Sequence, residues 1–376
     1  MRAYFLDEKA APGVVVSAYT YSQNGLGARA ISSPVWEKMV PLSSSILSGA
    51  GSDIESGEVL FEVQFGSRHP VAGQTCTSVE GEKRPVAVTA VQQIRRMRGG
   101  AQSHLMLGSD GHLYVVKFQN NPQHLRVLAN ELFATRLAEA AGLSVPATEV
   151  VEVSEWLIGN TPELYMDTGR QQERCAAGLQ FGSRYVGGLM PGQVVDYLPE
   201  EQLAEVRNLT EFAGMLALDK WTCNSNGRQA VFHRKPREKR YAANFVDQGY
   251  CFHAGEWSFP DAPLRGVYGR NRVYADVTGW ESFGPWLGRI ENLEPDTVWQ
   301  IAETVPPIWY GGDLREMERL TVTLLARRER VRDLIVQFRD SMRRPFPKWV
   351  GMESGSGQGQ FQVRKKIENE EGFAAG

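Results

Sequence analysis

Gly99-Gly100-Ala101-Gln102-Ser103, then Leu105-Met106-Leu107, Ser109-Asp110-Gly111 and Leu113-Tyr114-Val115-Val116-Lys117-Phe118, form the stretch whose reading decides the fold. A glycine turn leads into a short apolar strand. Asp110-Gly111 supplies positive φ at little cost and so predicts a hairpin, with 113–118 as its returning strand. Upstream, Val86-Ala87-Val88-Thr89-Ala90-Val91 opens another extended segment that ends in the basic run Arg95-Arg96-Met97-Arg98. Downstream, Leu132, Phe133 and Leu137 share a helical face over 131–141, with Gly142 placed as a C′ residue. Val145-Pro146 then introduces a strand over 148–153. The order is strand, glycine turn, two strands, helix, strand.

Binding a nucleotide phosphate and its metal ion requires three things. Small residues must let main-chain amides approach the phosphates, a cation must grip them, and carboxylate or amide oxygens must hold the metal. The turn from Gly99 offers the first, with Gly99, Gly100, Gln102 and Ser103 as candidate contacts, although a Gly-Gly pair alone is more often an ordinary turn. Lys117 offers the second. It interrupts an apolar strand, where an unpaired buried ammonium is costly, and Glu131 early in the next helix is its natural partner. A lysine on an edge strand, reaching out to water, is the plainer alternative. Asp247 offers the third. It follows the apolar strand Ala243-Asn244-Phe245-Val246 and precedes Gln248-Gly249, a placement that suits a metal ligand and also a simple Asx turn.

The rest of the chain frames this region. Its 376 residues are 42% apolar and 23% charged, a globular composition long enough for two lobes or domains. A formal net charge of -3 gives no reason to expect direct nucleic-acid binding. The four cysteines, Cys76, Cys175, Cys223 and Cys251, make no Cys-x-x-Cys pair, so buried free thiols are expected rather than a zinc site. The N-terminus meets charge at once, and no stretch approaches the ~20 apolar residues of a membrane span, which predicts a cytoplasmic protein. Residues 1–85 read as an appendage, small β or partly disordered. Strands are expected at 14–19 and 59–65, with a flexible Ser/Gly stretch over 43–52 between them. After residue 190 the pattern turns helical. One helix is expected from Leu198-Pro199-Glu200 through to Trp221, and another over 316–339 with Met317, Leu320, Leu324, Val331, Ile335 and Phe338 on one stripe. The tail over 346–376 reads as flexible.

Several of these segments occur together, and in the same order, in a known family. Gly99-Gly100-Ala101-Gln102-Ser103-His104, Tyr114-Val115-Val116-Lys117-Phe118, Asn121-Pro122 and Val127-Leu128-Ala129-Asn130-Glu131-Leu132 are similar to HipA-like kinases. So are Ala141-Gly142-Leu143-Ser144-Val145-Pro146, Phe181-Gly182-Ser183-Arg184-Tyr185 and Phe245-Val246-Asp247-Gln248-Gly249-Tyr250-Cys251-Phe252. The resemblance covers about 86–345. It implies an α+β, bilobal protein-kinase-like fold, with a β-rich N-lobe over 86–190, a helical C-lobe over 191–345, and residues 1–85 as an extra N-terminal β-containing segment. It implies ATP and Mg2+ as cofactors, Lys117 on the phosphates and paired with Glu131, Asp247 on Mg2+, and the strand from Phe181 leading to the hinge beside adenine. The implied activity is phosphoryl transfer, to a protein hydroxyl or else to a small molecule, and the implied partners are a protein substrate or a regulatory protein.

The catalytic loop departs from the family. The pattern there is Asp-x-Trp-x-x-Asn-x-Asp-Arg-His-x-x-Asn, whereas this protein reads Asp219-Lys220-Trp221-Thr222-Cys223-Asn224-Ser225-Asn226-Gly227-Arg228-Gln229. Asn226 falls where the catalytic aspartate belongs, the histidine is missing, and Gln229 is the candidate for the metal-binding asparagine. An amide accepts no proton at neutral pH. Asp219 is a possible substitute base, although its position upstream on a helix favours a structural role. Three readings follow: a kinase of atypical mechanism, a pseudokinase that binds nucleotide or a partner without transferring phosphate, and a regulatory protein acting through residues 1–85.

Overall fold

The structure is a computed structural model that describes residues 87–350 except Arg170, together with the backbone of three strands in the first part of the protein. The protein divides into two compact units, residues 1–82 and 83–376. In the first unit, β1 (Val14–Ser22) lies between β2 (Gly25–Ala28) and β3 (Val59–Phe65) in an antiparallel sheet. The alternating runs at 14–19 and 59–65 thus form paired strands. The Ser/Gly stretch 43–52, Cys76 and the tail beyond residue 350 lie outside the described residues, whereas Phe346, at the start of the stretch expected to be flexible, packs into the core.

The second unit begins with β4 (Val88–Arg96), β5 (His104–Gly108) and β6 (Leu113–Lys117). The glycine turn joins β4 to β5, and the Asp110-Gly111 turn joins β5 to β6, with Gly111 at φ +78°. Helix α1 (Val127–Ala140) follows, and Gly142 at φ +76° closes its C-terminus. The helix starts four residues before the expected position, because Val127-Leu128-Ala129 is as apolar as the segment after it. Val127, Leu128, Leu132, Phe133, Leu137 and Ala138 are all buried, so α1 is a central helix covered nearly all round.

Next come β7 (Thr148–Val153), α2 (Glu155–Asn160), the small hairpin β8 (Tyr165–Asp167) and β9 (Gln172–Arg174), and β10 (Gly178–Arg184). Strands β10, β6, β5, β4 and β7 close into a barrel in that order, with β4 and β7 parallel at the seam. Two register shifts in β4, at Ala90/Gln92 and Gln93/Arg95, supply the bend that closure needs. In the barrel, β6 sits between β5 and β10, which sets Lys117 opposite Phe181.

The remainder is mainly helical. After β11 (Val194–Val195) come α3 (Glu200–Ala204) and α4 (Glu211–Trp221), then β12 (Gln229–His233) and β13 (Ala242–Val246), which pair with each other. The single helix expected from residue 198 to Trp221 is therefore two, separated by turns over 205–210. Asn208 fixes that break: its side chain bonds the main chain of Ala243 in both directions, at 3.0 and 2.8 Å. Helices α5 (Trp286–Asn292), α6 (Pro295–Glu303), α7 (Leu314–Arg327) and α8 (Val331–Arg339) complete the unit. The long helix expected over 316–339 is likewise two, joined by a 3-10 turn at Arg328–Arg330. The apolar stripe survives the interruption: Met317, Leu320, Leu324, Val331, Ile335 and Phe338 are all buried. Trp221 shows why the stripe packs as it does, since it is fully buried and donates its indole N–H to Leu324 O at 2.8 Å.

Candidate functional site

Lys117 ends β6 with its side chain buried, where an ammonium must find counter-charge. It finds two carboxylates. Its Nζ donates to Glu131 Oε1 and, at 2.8 Å, to Asp247 Oδ1. Burial lowers the Lys117 pKa, but the charges of Glu131 and then Asp247 outweigh it, and the net direction is upward. Burial raises Asp247 and is outweighed by Lys117, with help from Arg228, so that carboxyl lies below its usual range. Glu131 is raised, chiefly by burial and also by Asp247, because one ammonium serves two acids.

Glu131 does more than neutralise Lys117. Its Oε2 accepts the Gln248 N–H at 3.0 Å and its Oε1 the Gly249 N–H at 2.9 Å. Helix α1 thereby grips the turn that presents Asp247. Asn130, the preceding residue, adds a second grip: its Nδ2 lies 2.9 Å from Gly249 O, 2.9 Å from Cys251 O and 2.8 Å from Ala254 O. Its Oδ1 accepts the Trp257 indole N–H at 2.8 Å. Gly249 has to be glycine, because a Cβ there would lie 2.7 Å from Val127 Cγ2 and 3.1 Å from Glu131 Oε1. Asp247 itself takes φ +64°, a left-handed conformation that aspartate tolerates better than most residues.

The glycine turn lies at the Lys117 end of the barrel, since His104 at the start of β5 pairs with Val116. Gly99 has φ +116°, and added Cβ atoms on Gly99 and Gly100 would meet nothing within 4 Å and only Gln123 Nε2 at 3.9 Å, respectively. Both leave their main chain approachable. Gln102 does not serve this opening. Its Oε1 accepts from Asp167 N at 2.7 Å and from the Arg96 guanidinium, and its Nε2 donates to Asp167 O at 2.7 Å. Its amide groups are thus tied to β8. Ser103 is buried, and its carbonyl accepts the Met97 N–H at 2.8 Å to close the turn.

The loop between α4 and β12 holds the remaining candidates. Gln229 is the first residue of β12, opposite Val246, and its Nε2 donates to Asp247 Oδ2 at 2.5 Å. Asp219 is fully buried rather than presented to this cluster. Arg228 Nε donates to its Oδ2 at 2.9 Å, Arg228 Nη2 to its Oδ1, and Asn224 Nδ2 to the same Oδ1 at 2.9 Å. With both oxygens engaged by a guanidinium, Asp219 fits the structural role better than that of a base. Asn226 lies in the exposed turn, where its own N–H donates to Asn224 Oδ1 at 3.0 Å and its Oδ1 accepts the Gly227 N–H at 2.8 Å.

The structure therefore brings Lys117, Glu131, Asp247 and Gln229 together and engages Gln102 and Asp219 elsewhere. It also supplies residues that sequence reasoning passed over. Arg228, besides Asp219, donates to Val246 O at 2.9 Å, so one buried guanidinium joins the loop to the strand before Asp247. Asn130 is a polar residue within the apolar run from Val127 to Leu132, and such a residue, once buried, marks a hydrogen-bonded junction, whereas Arg228 sits in a polar stretch that gives no such sign. For Asn130 that was the available signal. Among the described residues, no group of three or more His, Cys, Asp or Glu could hold a metal ion. No helix among them is long and apolar enough to cross a membrane.

Residues 90–230 match a family model described as HipA-like kinase. The family resemblance carried by the sequence motifs is thus found over that segment, and the kinase-like reading holds at family level. No curated protein matches this one. Among solved structures, it is similar to the Helicobacter pylori proinflammatory kinase CtkA, at 13% identity and TM-score 0.39, covering 65% of this protein and 99% of that one. It is similar to the Golgi casein kinase with Mn/ADP bound, at 12% identity and TM-score 0.36, covering 65% and 72%. It is also similar to HipA of Shewanella oneidensis MR-1, from a toxin–antitoxin complex with HipB and operator DNA, at 14% identity and TM-score 0.31, covering 72% and 68%.

Proposed function

From the HipA-like kinase match over residues 90–230, we propose that this protein is an ATP- and Mg2+-dependent phosphotransferase acting on a protein hydroxyl. The carrying observation is the cluster of Lys117, Glu131 and Asp247, within which Lys117 bonds both acids. A phosphotransfer site needs a positioned cation and a metal-binding carboxylate more than it needs covalent chemistry. Lys117 is the point charge for the phosphates, held in place by Glu131. The barrel and the helical segment are read as the N-lobe and C-lobe, and the first unit as an appendage with a separate role.

The donor set fits a hard divalent cation. Asp247 offers two carboxylate oxygens, now engaged by the N–H donors of Lys117 and Gln229. Rotation of the Gln229 carboxamide would replace that N–H with an oxygen, so that Asp247 and Gln229 would together hold Mg2+. When bound, the ion would neutralise charge developing on the transferred phosphoryl group.

A pseudokinase is the second reading, and one specific observation favours it. Asn226 stands at the catalytic position, and Asp219 is closed off by Arg228. The deciding experiment is ATP/Mg2+ binding and turnover by the purified protein, beside Asn226→Asp and Asp219→Asn. An atypical kinase binds nucleotide and turns it over slowly, and Asn226→Asp accelerates it by about 10²–10⁴-fold. Binding without turnover in all three proteins establishes the pseudokinase. No nucleotide binding at all overturns the phosphotransferase reading and leaves the pseudokinase only as a partner-binding module.

A further inference from the structure

Asn226 is followed by Gly227, and the sequence holds one other Asn-Gly pair, Asn24-Gly25. Asn226 and Gly227 are both exposed. The Gly227 N–H donates to Asn226 Oδ1 at 2.8 Å, so the carboxamide already lies against the backbone nitrogen, with Oδ1 one bond from Cγ. Rotation of the carboxamide about Cβ–Cγ turns the face of that carbon to the nitrogen. Gly227 brings no side chain to hinder its own nitrogen, and its Cα faces open space, where an added Cβ would come no nearer than 3.9 Å, to Val267 O.

We propose that Asn226-Gly227 is a deamidation site, and that conversion of Asn226 to aspartate installs the carboxylate that the catalytic loop lacks. The Gly227 nitrogen gives its proton to solvent and attacks Asn226 Cγ. A ring C–N bond forms, the carboxamide bond from Cγ to Nδ2 breaks, and ammonia leaves with a proton taken from water. Water then adds at Cγ of the resulting succinimide, and the ring C–N bond opens. The proton returns to the Gly227 nitrogen. The balance is asparagine plus water to aspartate plus ammonia, with no oxidant, reductant or cofactor.

Ring opening at the backbone carbonyl would instead give isoaspartate and lengthen the backbone by a methylene. The fold opposes that outcome, because the turn is pinned on both sides. Asn226 N–H bonds Asn224 Oδ1 at 3.0 Å, Gly266 N–H bonds Asn226 O at 3.0 Å, and Arg228 N–H bonds Val267 O at 3.0 Å. The aspartate product keeps all three.

The chemical conversion stands on this geometry alone, whereas its effect on activity rests on the phosphotransferase reading. The full-length protein is incubated at mildly alkaline pH in water enriched in heavy oxygen and sampled over time by peptide mapping. The peptide spanning Asn226 gains the mass of an amide-to-acid change with heavy oxygen incorporated, and carries α-linked aspartate. Gly227→Val prevents the gain, since the branched side chain crowds the nitrogen and Gly227 is not among the left-handed glycines. Turnover rises with conversion towards the level of Asn226→Asp, by up to about 10²–10⁴-fold. An unlabelled Asn226 peptide beside a converted Asn24-Gly25 peptide overturns the proposal, as does isoaspartate as the sole product. Full conversion with Asn226→Asp also inactive supports the modification and overturns the phosphotransferase reading instead.

Discussion

Arg228 closes on Asp219 with two nitrogens on two oxygens, and the pair is buried beneath the loop that carries Asn226. The same guanidinium reaches Val246 O at 2.9 Å, one residue before Asp247. The pair is thus a strut between the two halves of the candidate site, and a carboxylate in that position is a positioning residue.

Removing one partner of this pair leaves an uncompensated buried charge. Arg228→Met is expected to cost about 3–5 kcal/mol of stability. The double variant Asp219→Leu/Arg228→Met should lose much less, because neither charge is then stranded. Urea denaturation of the two single variants and the double gives the coupling directly. Additive losses would show that the pair is not a unit.

Lys117 is held by Glu131 and Asp247 with its side chain nearly enclosed, so its removal affects more than ligand affinity. Lys117→Met should weaken nucleotide binding by calorimetry and also lower the urea midpoint. Adding Glu131→Gln should recover part of the stability and none of the affinity. Unchanged nucleotide affinity in Lys117→Met would remove this residue from the phosphate site.

Asp247→Asn keeps the shape of the turn and removes the charge that a divalent cation needs. Nucleotide binding in this variant is expected to become independent of Mg2+, a change visible when titrations with and without the ion are compared. Retained Mg2+ dependence would place the metal elsewhere.

His104 is fully buried at the start of β5, and burial, the largest influence, lowers its pKa from 6.5 to about 4. Between those values the unfolded protein takes up a proton that the folded protein refuses. The stabilising contribution is complete above pH 6.5 and is lost as pH falls towards 4. The full loss is on the order of 3 kcal/mol. His124 and His233 are also lowered by burial and push in the same direction. The dependence of stability on pH across that range should therefore be flatter for His104→Gln than for the unsubstituted protein, and identical slopes would refute the assignment.

The order of elements from β4 to β7 was legible in the residues, because an Asp-Gly turn, an apolar run and a helical face are local signals. Lys117, Glu131 and Asp247 stood out for a related reason, since each is a charge set in an apolar segment and must have a partner. The breaks at 205–210 and 328–330 were not legible there. The apolar stripe runs on through both, and at the first of them the interruption is set by a distant contact, that of Asn208 with Ala243. Which candidates are presented and which are engaged emerges only on folding. Gln102 and Gln229 are the same side chain, yet one is bonded to Asp167 and Arg96 and the other to Asp247. Asp219 lies nine positions before Arg228, and it takes the folded loop to turn both onto one buried contact. A buried polar group takes whichever partner the fold brings within hydrogen-bond reach, and residue spacing does not encode that choice.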